Sequence, residues 1–146
     1  MIDRLVIISN ESISKNDNGF YCDNIDSKSI PEGLNKNFDV LLIGKKSKTK
    51  RSNKINLKNV SLASNIFFFI LNVFKTFKNK ETKYLLISIN PYSFFAYLVL
   101  LVFRKKTYVY LRSNGYEEWK YILGYVGYFL FHIMFSIVSW KAILIS

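Results

Sequence analysis

The sequence contains a single cysteine, Cys22, and a single histidine, His132, among its 146 residues. One cysteine cannot form an internal disulfide, and neither a zinc-site spacing nor a redox pair of cysteines exists. His132 lies in an aromatic segment with no second histidine or cysteine to complete a metal site, which favours a structural role. The sequence therefore predicts no metal site and no cofactor, and it suits a reducing compartment.

Two sequence patterns that often occur near an amino terminus, a secretory signal and a dinucleotide-binding fingerprint, are also missing. Residues 1–9, MIDRLVIIS, have too short an apolar run, with Asp3 and Arg4 ahead of it, for a secretory signal. The G-x-G-x-x-G fingerprint that follows the first strand of many dinucleotide-binding domains is absent. The first absence predicts a cytoplasmic protein. The second removes the main support for a binding-only Rossmann-like module, which stays an alternative.

Acidic residues are scarce, since Asp and Glu number 10 against 21 Lys and Arg, and the net charge is +11. Such a balance favours anionic partners. The densest basic run is residues 45–58, KKSKTKRSNKINLK, which we predict to be a solvated loop. The alternative is contact with an anionic membrane surface or a polyphosphate. Nucleic acid is not expected as a partner, because the run has no interleaved aromatic residues for base stacking.

Apolar residues make up 50% of the chain and aromatic residues 17%, enough for one domain with a sizeable core. Apolar runs of strand length alternate with longer helical segments, which predicts an α/β protein: a Rossmann-like, mostly parallel sheet with helices on both faces. Ser29 and Ser64 are the expected caps of the first two helices. The predicted strands are residues 5–9, 38–44, 59–62, 84–89, 108–111 and 142–146, the predicted helices are residues 29–37, 63–79, 92–103 and 117–139, and residues 10–18 are a predicted loop.

Residues 107–120, TYVYLRSNGYEEWK, combine a strand, a polar turn and the acidic start of a helix. Ser113 or Asn114 is expected to cap that helix. In an open α/β sheet, ligands bind at the loops that follow the carboxyl ends of the strands. Arg112 is therefore a candidate ligand-binding residue, although an ion pair with Glu117 or Glu118 would explain its position equally well.

The helix predicted at 117–139 is apolar on almost every side, which is typical of a helix that is deeply buried or in contact with lipid. A small membrane-associated protein is therefore the alternative interpretation. Its hydrophobic helices would be residues 92–103 and 121–140. The first of these is short for a membrane span, which needs about 20 residues.

Five segments, LVIIS, FDVLLIG, YLLISINPYSF, TYVYLRSNGYEEWK and WKAILIS, occur in this order along nearly the whole chain. Together they resemble the amino-terminal domain of a GT-B glycosyltransferase of the family-four type, found in bacterial surface-polysaccharide synthesis. Such enzymes have two Rossmann-like domains that face a cleft. The amino-terminal domain mainly holds the acceptor, and the carboxyl-terminal domain holds the nucleotide sugar.

The resemblance implies that residues 1–146 form the acceptor-side domain of a hexosyltransferase-type enzyme and that the donor domain is absent, so the chain alone would be inactive. The implied partners are a nucleotide sugar, a glycan or lipid-linked acceptor and a separate donor domain. The basic and aromatic residues of the chain add the anionic inner face of the membrane as a further expected partner. Many relatives carry a histidine where this chain has Arg112 and Ser113. No catalytic residue is implied, and the implied substrate-binding residues are Asn10, Gly19, Asn90, Arg112, Ser113, Asn114 and Glu117.

Overall fold

The computed structural model describes residues 2–146, which form eight strands and four α-helices. The strands are β1 Arg4–Asn16, β2 Gly19–Cys22, β3 Asp39–Lys46, β4 Asn53–Ile55, β5 Asn59–Ala63, β6 Lys83–Ile87, β7 Thr107–Tyr110 and β8 Ile143–Ile145. The helices are α1 Ile25–Leu34, α2 Ile66–Lys75, α3 Pro91–Val102 and α4 Gly115–Lys141, and a short 3-10 turn, Thr76–Lys78, follows α2.

The eight strands form one mixed sheet. Six of them are parallel and lie in the order β5-β3-β1-β6-β7-β8. Leu5 on β1 pairs with Val40 on β3 and with Lys83 on β6, so β1 is hydrogen-bonded on both sides. The carboxyl-terminal part of β1 forms an antiparallel extension of the sheet, in which β1 pairs with β2 and β2 pairs with β4. The predicted α/β class and the mostly parallel sheet are confirmed.

Successive side chains on each strand point to opposite faces of the sheet, which gives two hydrophobic cores. Val6 and Ile8 belong to the core beneath α2, α3 and α4, whereas Leu5 and Ile7 belong to the core beneath α1. Cys22 is fully buried in the second core, where burial raises the pKa of its thiol to about 11. Helices cover both faces, but three of the four lie on one of them.

The loop predicted at residues 10–18 is mostly strand. β1 runs on to Asn16, and Ser14 pairs with Tyr21 across a tight hairpin. Ile13 is fully buried while Ser12 and Ser14 are half-buried, an alternation that the abundance of Ser and Asn obscured. The turn itself occupies only Asp17 and Asn18, where the Asn16 side chain accepts a hydrogen bond from the Asn18 amide at 2.9 Å.

The expected caps of the first two helices were wrong by one to five residues. Asn24 caps α1, because its Oδ1 accepts from the amides of Asp26 at 2.9 Å and Ser27 at 3.3 Å. Asn65 caps α2 by accepting from the Phe68 amide at 3.0 Å. Each asparagine side chain reaches the free amides of the first turn, so the helix starts there although serines lie nearby.

Helix α4 is a helical hairpin and not a continuous rod. Gly124 adopts φ 65° and ψ −148°, which interrupts the helix. The Tyr116 ring then packs against Phe131 at 4.8 Å between centroids, and its hydroxyl is 2.9 Å from His132 Nδ1. These contacts join residues that a straight helix would hold more than 20 Å apart. Residues 115–123 therefore fold back along residues 125–141 as the first and second arms of the α4 hairpin.

Gly127 allows the two arms to approach. A Cβ atom added there would overlap the Trp119 carbonyl oxygen. The apolar sequence of α4 predicts a helix that is deeply buried or in contact with lipid. In the structure only one stripe of the second arm, Gly127, Phe131, Met134 and Val138, is buried. The side chain of His132 is held by Tyr116, which agrees with the structural role predicted for it.

Gly127→Ala is expected to lower the free energy of unfolding by about 1–3 kcal/mol, because the added methyl group overpacks the contact between the arms. Gly33→Ala is the matched control, since a Cβ at that helical position meets nothing within 4 Å. The control is expected to be neutral or stabilising by about 0.5–1 kcal/mol through helix propensity. Urea unfolding measures both, and equal stability of the two variants would contradict the hairpin.

Candidate functional site

A cavity of about 240 Å³ opens at the carboxyl ends of β6, β7 and the parallel part of β1. The strand order reverses here, because the chain runs from β1 outward to β3 and β5 on one side and then to β6, β7 and β8 on the other. Ligands of open α/β sheets bind at this kind of reversal. The lining residues are Ser9, Asn10, Glu11, Ser27, Ile87, Ser88, Ile89, Asn90, Arg112, Glu118, Trp119 and Ile122.

Two buried side-chain polar atoms of the lining have no hydrogen-bond partner within residues 2–146. They are Asn10 Oδ1, at the end of the parallel part of β1, and Ser88 Oγ, directly after β6, and both atoms are buried. Buried polar groups in proteins are almost always hydrogen-bonded, so an unpaired one calls for an explanation such as a ligand or a water molecule. The two atoms come from strands that pair with each other, since Ser9 pairs with Ile87.

Ser88 also adopts a left-handed backbone conformation, with φ 65°. This conformation is costly for a residue other than glycine, and such strain is common at functional sites. The neighbouring elements hold it in place. The Ser88 amide donates to the Tyr110 carbonyl at 2.9 Å, and its own carbonyl accepts from Ser93 Oγ at 3.0 Å. The turn between β6 and α3 is therefore fixed to both β7 and α3.

Arg112 is the one cation in the lining, and 33% of its side-chain surface is exposed. Its Nε lies 4.0 Å from Asp26 Oδ2, in the first turn of α1. The alternative ion pair with Glu117 or Glu118 is not formed; the nearest carboxylate to the guanidinium comes from α1. At this distance and exposure the pair is weak, so the guanidinium stays available to a ligand.

Two carboxylates, Glu11 and Glu118, share the lining with Arg112. Glu11 Oε1 is 3.4 Å from the amides of both Asp23 and Asn24, which holds it beside the start of α1. Trp119 and Ile122, from the first arm of the α4 hairpin, add an apolar wall. A mixture of hydrogen-bond donors, acceptors and one aromatic side chain suits a ligand rich in hydroxyl groups better than a bare anion.

The residues expected to bind substrate fall into three groups. Asn10, Asn90 and Arg112 line the cavity. Ser113 lines a smaller adjoining cavity of about 20 Å³, which Ser88, Arg112 and Glu118 also line. Gly19, Asn114 and Glu117 line neither cavity.

Each of the three residues in the last group has another position in the fold. Gly19 begins β2, with φ 133°, at the hairpin turn. Asn114 occupies the cap position of α4, but its side chain makes no capping hydrogen bond, contrary to expectation. Glu117 lies in the first turn of α4, next to Glu118, which does line the cavity.

Sequence reasoning missed Glu11, Ser27, Ser88, Glu118, Trp119 and Ile122. Ser88 had a detectable signal, a serine that ends the apolar run YLLI immediately before Ile89, Asn90 and Pro91. Ser27 and Glu11 had none, because α1 and the β1 extension bring them to the cavity. Ser27 Oγ lies 3.4 Å from Ser9 Oγ, a contact across 18 residues of sequence.

The structure of residues 2–146 contains no group of three or more His, Cys, Asp or Glu side chains that could hold a metal ion. Comparison with protein-family models, with curated proteins and with solved structures finds no match to this chain.

Ser88→Gly is expected to leave the free energy of unfolding unchanged or to raise it by up to about 1 kcal/mol, because glycine adopts φ 65° without strain. Ser61→Gly, in the middle of β5, is the matched control and is expected to cost about 0.5–1 kcal/mol. Urea unfolding of the two variants measures the difference. If Ser88→Gly lowered the free energy of unfolding as much as the control does, the backbone of Ser88 would not be strained.

Proposed function

We propose that this chain is the acceptor-side domain of a GT-B type glycosyltransferase and that the cavity binds the acceptor sugar. The observation that carries the proposal is the cavity at the reversal of strand order, with two buried polar atoms that lack partners within residues 2–146. Counted along the chain, the six parallel strands have the order 3-2-1-4-5-6. This is the order of Rossmann-like sheets, which form both domains of GT-B enzymes.

Each side of the cavity has a proposed role toward a sugar. Asn10 Oδ1 accepts a hydrogen bond from one hydroxyl group, and Ser88 Oγ pairs with another. Arg112 donates to a ring substituent or to a phosphate through its planar fork. Trp119 packs against the apolar face of the sugar ring, as aromatic side chains do when one side of a ligand is apolar.

The charges of the cavity support an acceptor over a nucleotide diphosphate. Transfer from a nucleotide sugar places developing negative charge on the leaving diphosphate, which cations and dipoles must stabilise. The lining has one cation and two carboxylates, so it is poorly suited to that task. A nucleotide sugar would instead be held by a second, separate domain. We assign no catalytic residue in this chain.

The alternative of a small membrane-associated protein with spanning helices at 92–103 and 121–140 has less support. Helix α3 has 12 residues, about 18 Å, against a hydrocarbon core of about 30 Å. It buries Ala96, Tyr97 and Leu100 in the core beneath the helices. Helix α4 is long and apolar enough to cross a membrane by length and composition, with 22% of its most apolar stretch buried, but it bends back at Gly124.

The test is binding of sugars to the full chain, measured by saturation-transfer NMR with a panel of common hexoses, N-acetylhexosamines and their 1-phosphates. At least one sugar is expected to bind. Arg112→Gln is expected to weaken binding of its 1-phosphate by about tenfold, since a hydrogen bond to a charged group is worth about 1.5–3 kcal/mol.

Arg104→Gln is the matched control. Arg104 is an exposed arginine between α3 and β7, at the opposite edge of the sheet, so its removal is expected to leave sugar binding unchanged. The proposal would be contradicted if the chain bound free nucleotides, tested alongside the panel, and none of the sugars. An equal loss of sugar binding in the Arg112→Gln and Arg104→Gln variants would also contradict it.

A further inference from the structure

The bend of the α4 hairpin carries an apolar tip, residues 121–126. The most exposed of its side chains are Tyr121 at 95%, Tyr125 at 79%, Ile122 at 68% and Val126 at 67%. They are close in sequence and belong to both arms, so they point in several directions around the bend. A helix that docks on one protein surface exposes one stripe, whereas this tip is apolar on all sides.

The tip projects beyond the carboxyl edge of the sheet. Tyr116 on the first arm is level with Phe131 on the second, and Trp119 is level with Gly127. Phe131 lines the smaller cavity at the carboxyl ends of β6 and β7, and it lies seven positions after Gly124. At 1.5 Å per residue the bend therefore stands about 10 Å beyond the level of Phe131.

Basic residues lie along the same edge of the sheet. β3 runs parallel to β7 and ends at Lys46, so Lys45, Lys46, Lys48 and Lys50 are all at the carboxyl edge. Lys45 Nζ is 5.1 Å from the centre of the Tyr92 ring, close to the Asn90 side of the cavity. On the tip, Lys120 Nζ is 5.2 Å from the centre of the Tyr125 ring. Residues 45–50 contain no acidic side chain.

We infer that the tip inserts into the interfacial layer of an anionic lipid bilayer, with the lysines of residues 45–50 against the lipid headgroups. An apolar tip with tyrosines suits the boundary between headgroups and acyl chains, and flanking cations are attracted to anionic lipid. Charge complementarity selects lipid over a second copy of this chain, because the net charge of +11 makes two copies repel each other.

The insertion has a consequence for the candidate site. Ile122 belongs both to the tip and to the lining of the cavity, so docking holds the mouth of the cavity at the level of the headgroups. Where the proposed function holds, the acceptor is then a sugar carried on a lipid phosphate. Insertion itself does not rest on the proposed function. The sugar-binding experiment is carried out without a membrane and the vesicle experiment without a sugar, so each claim can fail separately.

The experiment is flotation of the full chain with vesicles of phosphatidylcholine alone or with 30% phosphatidylglycerol, at low and high salt. The wild-type chain is expected to float with the anionic vesicles and to be released by salt. Tyr125→Ser combined with Val126→Ser is expected to reduce the floating fraction at least tenfold. Replacing Lys45, Lys48 and Lys50 by glutamine is expected to remove the preference for anionic lipid.

The matched control is Val102→Ser combined with Trp140→Ser at the opposite edge of the sheet. These side chains are 75% and 73% exposed, and Trp140 lines a basic cavity of about 580 Å³ with Arg104, Lys105, Lys106 and Lys141. The control is expected to float like the wild type. Loss of flotation in the control with retention in the tip variant would assign docking to that other edge and overturn the proposal.

Fluorescence gives a second measurement of depth, because the chain has two tryptophans, one near each edge. In the Trp140→Phe variant, the emission maximum of the remaining Trp119 is expected to move to shorter wavelength when anionic vesicles are added. Brominated lipid is expected to quench this emission. With Trp119→Phe, the remaining Trp140 is expected to show neither change. A wild-type chain that ignores every vesicle, or that dimerises through the tip without binding lipid, would overturn the proposal.

Discussion

The structure depends on β1 being buried on both faces and hydrogen-bonded along both edges. Leu5, Val6, Ile7 and Ile8 are at most 6% exposed, and each pairs with β3 on one side and β6 on the other. Because no water reaches these backbone groups, the register of the whole parallel sheet follows from this strand. The chain adds β3 and β5 on one side of β1 and then β6, β7 and β8 on the other, and the polar cavity opens at this reversal of strand order.

The cavity and the α4 hairpin are coupled through the chain itself. The strand that delivers Arg112 continues directly into the first arm, so Glu118, Trp119 and Ile122 return to the cavity within one helical segment. The second arm then buries a single stripe on the sheet. The two most exposed large apolar side chains of the hairpin, Tyr121 and Tyr125, lie at the bend, beside the opening of the cavity.

Much of the sheet could be predicted from the sequence, because a parallel strand buried on both faces reads as a continuous apolar run. The predicted strands agree with β3, β5, β6 and β7 to within two residues at each end. The extension of β1 was missed since half-buried serines and asparagines resemble a loop. The hairpin was missed because nothing local distinguishes a Gly124 that breaks a helix from one that is tolerated within it.

The candidate site was only partly predictable. Asn10, Asn90 and Arg112 follow strand ends, which are visible in the sequence. The partner of Arg112 is Asp26, 86 positions earlier, and no local pattern links the two. The unpaired oxygens of Asn10 and Ser88 become visible only when the burial of each atom is known.

Amide chemical shifts of the full chain, recorded while the tightest-binding sugar of the panel is added, test most directly whether the cavity binds a sugar. The amides of Asn10, Ser88 and Arg112 are expected to shift together with one dissociation constant, while those of Arg104 and Lys141 at the opposite edge stay unchanged. Shifts confined to the opposite edge, or a sugar that binds without moving any amide of the cavity, would contradict the acceptor site.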